Sequence, residues 1–214
     1  MTPTIQAVVF DFDYTLADAS PGIVHSFRAT FEVMKLVAPE PDRVRRTIGM
    51  SLPHAFRELS GVGDPDAAQR FMDIYHAQAS AVMLAKTRVF ETVVPCLERL
   101  RDGGSKCAIV STKTRRRIED VLERDELSAF FETVIGGEDV MTHKPDPEGL
   151  LLCLDRLSVA PSATLYVGDS RIDAETAQGA GTHFQPVLTG VTPPEHFEGL
   201  PGRAPIGSLA ELKV

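Results

Sequence analysis

Ala7-Val8-Val9-Phe10-Asp11-Phe12-Asp13-Tyr14-Thr15-Leu16 begins with four apolar residues and then brings in two acids. A short, continuous apolar run of this kind fits a strand buried on both faces, as in a parallel sheet. Residues two apart in an extended segment face the same side, so Asp11 and Asp13 are expected to converge where the strand ends. Two carboxylates that close repel unless a cation or a shared proton lies between them. A solvated acidic loop or a helix cap is the plain alternative, and this stretch alone does not decide between them.

Three further segments read as short buried strands: Lys106 to Val110, Thr133 to Ile135, and Thr164 to Val167. Each is followed within a few residues by a helix-like stretch. This alternation predicts an α/β fold, a Rossmann-like parallel sheet core with helices on both faces. Thr92-Val93-Val94-Pro95 opens a helix running through Arg101, which Gly103 and Gly104 can close. Between about Ser20 and Ala85 the pattern changes. Ile23, Phe27, Phe31 and Met34 recur at helical spacing, as do Phe71, Ile74, Tyr75 and Val82, with Pro39, Pro41, Pro53 and Pro65 at the breaks. The expected organisation is a core domain over residues 1–16 and 86–214, with an inserted α-helical cap domain over 17–85. Such an insertion sits where ligands bind in open α/β sheets, outside the carboxyl ends of the strands. After Pro186 the tail is rich in proline and glycine.

Bulk properties narrow the field. The net charge of −8 repels a phosphate backbone and argues against nucleic acid as a partner, though not against small phosphorylated molecules. No apolar run reaches the roughly 20 residues that span a bilayer, and no export signal is expected. Cys96, Cys107 and Cys153 lack a CxxC pair and read as reduced core thiols, which points to the cytoplasm.

The remaining strand ends carry chemistry of the same kind. Ser111-Thr112-Lys113 offers hydroxyls and free amides at a helix start, an anion site if it is not a simple cap. In His143-Lys144-Pro145-Asp146-Pro147 two prolines stiffen the turn that carries Lys144, so its charge can be aimed. Gly168-Asp169-Ser170-Arg171-Ile172-Asp173 spaces two acids about one helical turn apart, suited to a hard cation or, more plainly, to a cap and a first-turn charge. Each plain alternative stands by itself. None predicts acids, hydroxyl, lysine and acids at successive strand ends, which is the inventory for phosphoryl transfer.

VVFDFDYTLADASPGI, ERLRDGG, IVSTK, FFETVIGGEDVMTHKPDPEGLL and LYVGDSRIDAETAQGAGT, in that order, resemble the haloacid dehalogenase-like hydrolase superfamily, in its phosphoglycolate phosphatase-like branch. The resemblance implies that Asp11 is a nucleophile forming an aspartyl-phosphate and that Asp13 is the general acid and base. It implies that Ser111, with Thr112 beside it, holds the phosphoryl group, and that Lys144 pairs with Asp11 and the phosphate. Magnesium is implied as cofactor, held by Asp11, the Asp13 backbone carbonyl, Asp169 and Asp173. The family usually has glycine where this chain has Tyr14, so the loop into the cap is expected to be altered or Tyr14 to line the pocket. Dehalogenases of this superfamily lack an acid at the position of Asp13, so dehalogenation is not expected.

The expected substrate is a small phosphorylated metabolite, phosphoglycolate first. A phosphomutase or pyrophosphatase of the same fold is the near alternative, and a phospho-aspartate signalling receiver the distant one. Whether the chain is a monomer or a homodimer stays open. Arg115-Arg116-Arg117 reads as a solvated helix face, and the histidines show no metal-ligand spacing, with His25 alone placed to face the site. Arg45 and Arg46, before Ile48-Gly49, are candidates for approaching the substrate from the cap.

Overall fold

A computed structural model describes residues 4–214. Strand β1 (Ala7–Phe10) leads to a short strand β2 (Ala17–Asp18) and then to four helices: α1 (Ser20–Val33), α2 (Pro41–Arg45), α3 (Leu52–Ser60) and α4 (Pro65–Lys86). Strand β3 (Arg88–Val89) brings the chain back, followed by α5 (Val93–Asp102), β4 (Lys106–Val110), α6 (Arg115–Arg124) and β5 (Thr133–Ile135). Then come α7 (Glu148–Leu157), β6 (Thr164–Gly168), α8 (Arg171–Ala180) and β7 (His183–Pro186).

The main sheet is parallel, in the order β5-β4-β1-β6-β7. Its centre is β1, paired on one side with β4 (Phe10 to Ile109) and on the other with β6 (Phe10 to Val167). Alternation along β1 explains its unbroken apolar run. Val8 and Phe10 pack into one layer with Leu97, Ile118 and Val121 from α5 and α6. Ala7 and Val9 pack into the other with Leu150, Leu154 and Ala177 from α7 and α8. The chain winds outward from β1 through β4 to β5, then crosses back to start again at β6. The carboxyl ends of β1 and β6 therefore flank the switch point where α/β sheets bind ligands.

Helices α1 to α4 build a separate apolar cluster. All four carry a proline in the first turn, where its missing N–H costs nothing. Asp64 caps α4 by accepting from the Ala67 amide at 3.0 Å. Inside, Phe71 meets Phe56 stacked at 4.7 Å between centroids, Phe27 at 5.2 Å and Tyr75 at 5.7 Å. The helical segment attaches through the antiparallel pair of β2 and β3, Ala17 opposite Val89 and Asp18 opposite Arg88.

That ribbon and β7 are absent from the reading of the sequence. Two residues are too few to show a period, and His183-Phe184-Gln185-Pro186 is half polar and ends in proline, which suits only an edge strand. Strand β6 extends one residue further than expected, to Gly168. Among the described residues, no helix is long and apolar enough to cross a membrane.

Phe71 is fully buried at the centre of the aromatic cluster. Phe71→Ala is expected to destabilise the protein by about 3–5 kcal/mol, read as a lowered urea midpoint. A change under about 1 kcal/mol would show that this cluster is not a packed core.

Candidate active site

Asp11 leaves the end of β1, Asp169 the end of β6, and Asp173 lies in the first turn of α8. One carboxylate oxygen from each lies within 4.8 Å of the others, and all three residues are buried. Lys144, on the loop before α7, enters the same group. Its Nζ is 2.6 Å from Asp173 Oδ1, 3.2 Å from the Tyr166 hydroxyl and 3.0 Å from Asp11 Oδ1. The last contact is close enough for an ion pair but lies off the angle of a hydrogen bond, which leaves Asp11 Oδ1 buried without a hydrogen-bond partner.

The sequence around Asp173 dictates its orientation. Ser170 caps α8: its hydroxyl lies 2.6 Å from Asp173 Oδ2, while its amide donates to the same oxygen at 3.1 Å. The plain reading of a capping acid is thus realised, with Ser170 rather than Asp169 as the cap. With Oδ2 so held, Oδ1 faces Lys144 and the Tyr166 hydroxyl, which lies 3.1 Å from it. Asp173 fixes the lysine, and Asp11 and Asp169 keep the less engaged oxygens.

Charge does not balance within this group. Three carboxylates face one ammonium, so with all three ionised two negative charges would stand uncompensated in a buried space. Burial pushes the Asp11 carboxyl up to about 6, with Lys144 opposing and Asp173 and Asp13 reinforcing the rise. Burial, and then Asp173 and Asp11, likewise raise Asp169 well above the usual carboxylate range. Lys144 stays well above the ordinary lysine range, because Asp11 and Asp173 outweigh its own desolvation. An orphaned buried carboxylate oxygen beside a second underused acid fits a hard cation with oxygen ligands, and two missing positive charges fit a divalent one.

Asp13 points elsewhere. Both its oxygens meet Lys113 Nζ, at 3.0 and 3.1 Å, and this pair lines a cavity between the sheet and the helical segment. The cavity measures about 60 Å³ and has apolar walls from Ile23, Phe27, Ile48 and Tyr75. Asp11 and Asp13 therefore serve opposite sides: one faces the acid cluster, the other the cavity.

Ser111 is buried at the end of β4, its Oγ 3.4 Å from the Lys113 amide. β1 and β4 run parallel in register, so the loops leaving Asp11 and Ser111 emerge side by side. The Thr112 hydroxyl donates to the Gly49 carbonyl at 3.2 Å, so it ties the helical segment to the core. Segment Thr47 to Met50 lines the cavity, but Arg45 pairs with Asp42 and Arg46 is exposed, and neither arginine lines it. His25 is exposed and lies outside the cavity. Of the three consecutive arginines, Arg115 pairs with Asp139 and Arg116 with Asp120, whereas Arg117 lines the cavity, which corrects the expectation of a solvated face for that residue.

The position of Tyr14 has a backbone explanation. Its φ of 62° lies in the left-handed region that glycine adopts freely, so the turn holds a conformation that tyrosine resists. Tyr14 is buried but does not line the cavity.

Comparison with known proteins agrees with this geometry. A family model described as haloacid dehalogenase-like hydrolase matches residues 8–187. The chain belongs to this family. Among its relatives, a phosphoglycolate phosphatase of Nitrosospira multiformis is 29% identical over 184 residues, covering 84% of this chain and 81% of that protein. A pyrophosphatase of Bacillus pumilus is 32% identical over 179 residues, with coverage of 84% and 81%. The crystal structure of a haloacid dehalogenase-like hydrolase of Bacteroides fragilis superposes with a TM-score of 0.95 at 41% identity, over 97% of this chain and 99% of that one.

Several residues of this hydrolase's site escaped the sequence reading. Lys113 follows the hydroxyl pair, and Tyr166 is one more apolar residue of a strand; only folding shows the charges they meet. Gly190 lies in the tail, yet a Cβ there would fall 1.9 Å from Asp169 Oδ2, so only glycine lets the tail close on that acid.

The acid cluster generates a pH-dependent expectation. With Asp11 raised from 3.8 to about 6, the native state holds a proton that the unfolded chain has released. Without a cation, stability should therefore fall as pH rises across that interval. A bound divalent cation replaces the proton, so its stabilisation should be larger at pH 8 than at pH 5. Thermal melts with and without the ion read this directly, and an increment independent of pH would contradict it.

Proposed function

We propose that this enzyme is a phosphatase of small phosphate monoesters that works through an aspartyl-phosphate on Asp11 with one magnesium ion. The observation that carries the reading is the buried group of Asp11, Asp169, Asp173 and Lys144, short of two positive charges, beside a second acid that faces a separate cavity. Asp11, Asp169 and the Asp13 backbone carbonyl would hold the ion, with Asp173 supporting it directly or through water. When bound, magnesium supplies charge neutralisation to the phosphate oxygens.

The chain's own groups do the rest. A carboxylate oxygen of Asp11 attacks phosphorus while the bond to the leaving oxygen breaks, and Asp13 gives that oxygen its proton. Asp13 then takes a proton from the water that attacks the aspartyl-phosphate, which frees inorganic phosphate and restores Asp11. Lys144 compensates charge on Asp11 and the phosphoryl oxygens, and Ser111 donates to the latter. Lys113, bound to both oxygens of Asp13, fixes that acid toward the cavity.

The likeness to phosphoglycolate phosphatases and to a pyrophosphatase supports a small substrate, with phosphoglycolate as first candidate. The division into a core over 1–16 and 86–214 and a cap over 17–85 belongs to this proposal, with α1 to α4 closing the cavity. The three buried free thiols support a reducing, cytoplasmic setting.

The test is phosphate release from a panel of metabolite monoesters, with magnesium and with chelator. Turnover should require the metal and should vanish in Asp11→Asn. Metal-independent release, or near-wild-type rates in Asp11→Asn, would remove the assignment.

A further inference from the structure

Arg117 stands apart from the other charged groups around the site. It lines the cavity that Asp13 faces, on the side away from the acid cluster, and also a neighbouring pocket that contains His76. Lys113, the other cation there, is neutralised by Asp13. Among the described residues Arg117 has no carboxylate within ion-pair reach, although its neighbours Arg115 and Arg116 each have one at 2.8 Å. Its guanidinium donates to the His76 carbonyl at 3.2 Å and lies over the Tyr75 ring, 5.7 Å from the centroid. Those contacts use few of its five N–H donors, and the planar fork matches a carboxylate or phosphate. Burial pulls Arg117 below the ordinary arginine range, with Tyr75 and Asp13 opposing only in part. The cavity thus has one positive charge in excess, in a chain whose net charge is −8.

We propose that Arg117 is a specificity-determining residue that selects esters whose leaving group carries a small oxyanion. This rests on the phosphatase reading of the site and adds the substrate class to it. At about 60 Å³ the cavity has room for only a few water-sized groups. That size suits a two- or three-carbon acid or a second phosphate.

Three substrates separate the possibilities. Phosphoglycolate carries a carboxylate, pyrophosphate a phosphate, and 2-hydroxyethyl phosphate replaces the carboxylate with an uncharged alcohol of similar size. In the wild-type enzyme with magnesium, kcat/KM should favour at least one anionic substrate over 2-hydroxyethyl phosphate by about 10–100-fold, the range for a hydrogen-bonded charge. Arg117→Met should bring that ratio close to one, mainly through KM, and Arg117→Lys should restore part of it. The substrate with the larger loss identifies the oxyanion. Absence of preference in the wild type would overturn the proposal without any variant. So would an Arg117→Met enzyme that slows on all three substrates alike, since that is the behaviour of a latch on the His76 carbonyl. Release from 2-hydroxyethyl phosphate alone would retire this inference and leave the phosphatase reading in place. No release from any of the three substrates would retire both.

Discussion

Three carboxylates buried around one lysine are the constraint on which the rest of the structure depends. Burying like charges is costly, and an ion pair inside a protein repays its desolvation only with good geometry and further hydrogen bonds. Here the geometry is supplied for Asp173 and Lys144 by Ser170 and Tyr166, and withheld from Asp11, whose Oδ1 has no hydrogen-bond partner. The uneven treatment is chemically useful. Asp11, the acid proposed to react, is left free, and Asp173, which holds the lysine, is tied down. A fold selected for stability alone would replace this group with apolar residues.

The sheet makes that concentration of charge possible. β1 and β6 are adjacent, and the chain's crossing at this point lets two loops leave side by side with no strand between them. The tail then closes over Asp169 through Gly190, and the helical segment reaches down through Gly49 to Thr112. Asp11 faces inward to the acids, whereas Asp13, two residues on, faces the cavity. The period of two along an extended backbone, which first suggested that the two acids act together, is broken by the bend at Phe12.

Much of this was legible in the sequence because it depends on local pattern. Apolar runs marked β1, β4, β5 and β6, and the aromatic spacing of Phe27, Phe31 and Phe71 marked the helical segment. The acids and Lys144 stood out because each follows a strand. What was not legible depends on closure. Tyr166 reads as a core residue until Lys144 meets its hydroxyl. Lys113 and Arg117 look like ordinary surface cations until the helical segment covers them, and in Arg115-Arg116-Arg117 nothing local separates the third from the first two. Gly190 matters only through its distance to an acid that precedes it by 21 positions. β7 was missed because an edge strand needs no apolar run on both faces.

The most direct measurement is anomalous diffraction from crystals soaked in manganese, a magnesium substitute that scatters strongly at its absorption edge. One strong peak per chain is expected, bonded to carboxylate oxygens of both Asp11 and Asp169. A peak elsewhere, or none at this group while the ion occupies other acids, would show that the missing charge is made up by protons and would contradict the account.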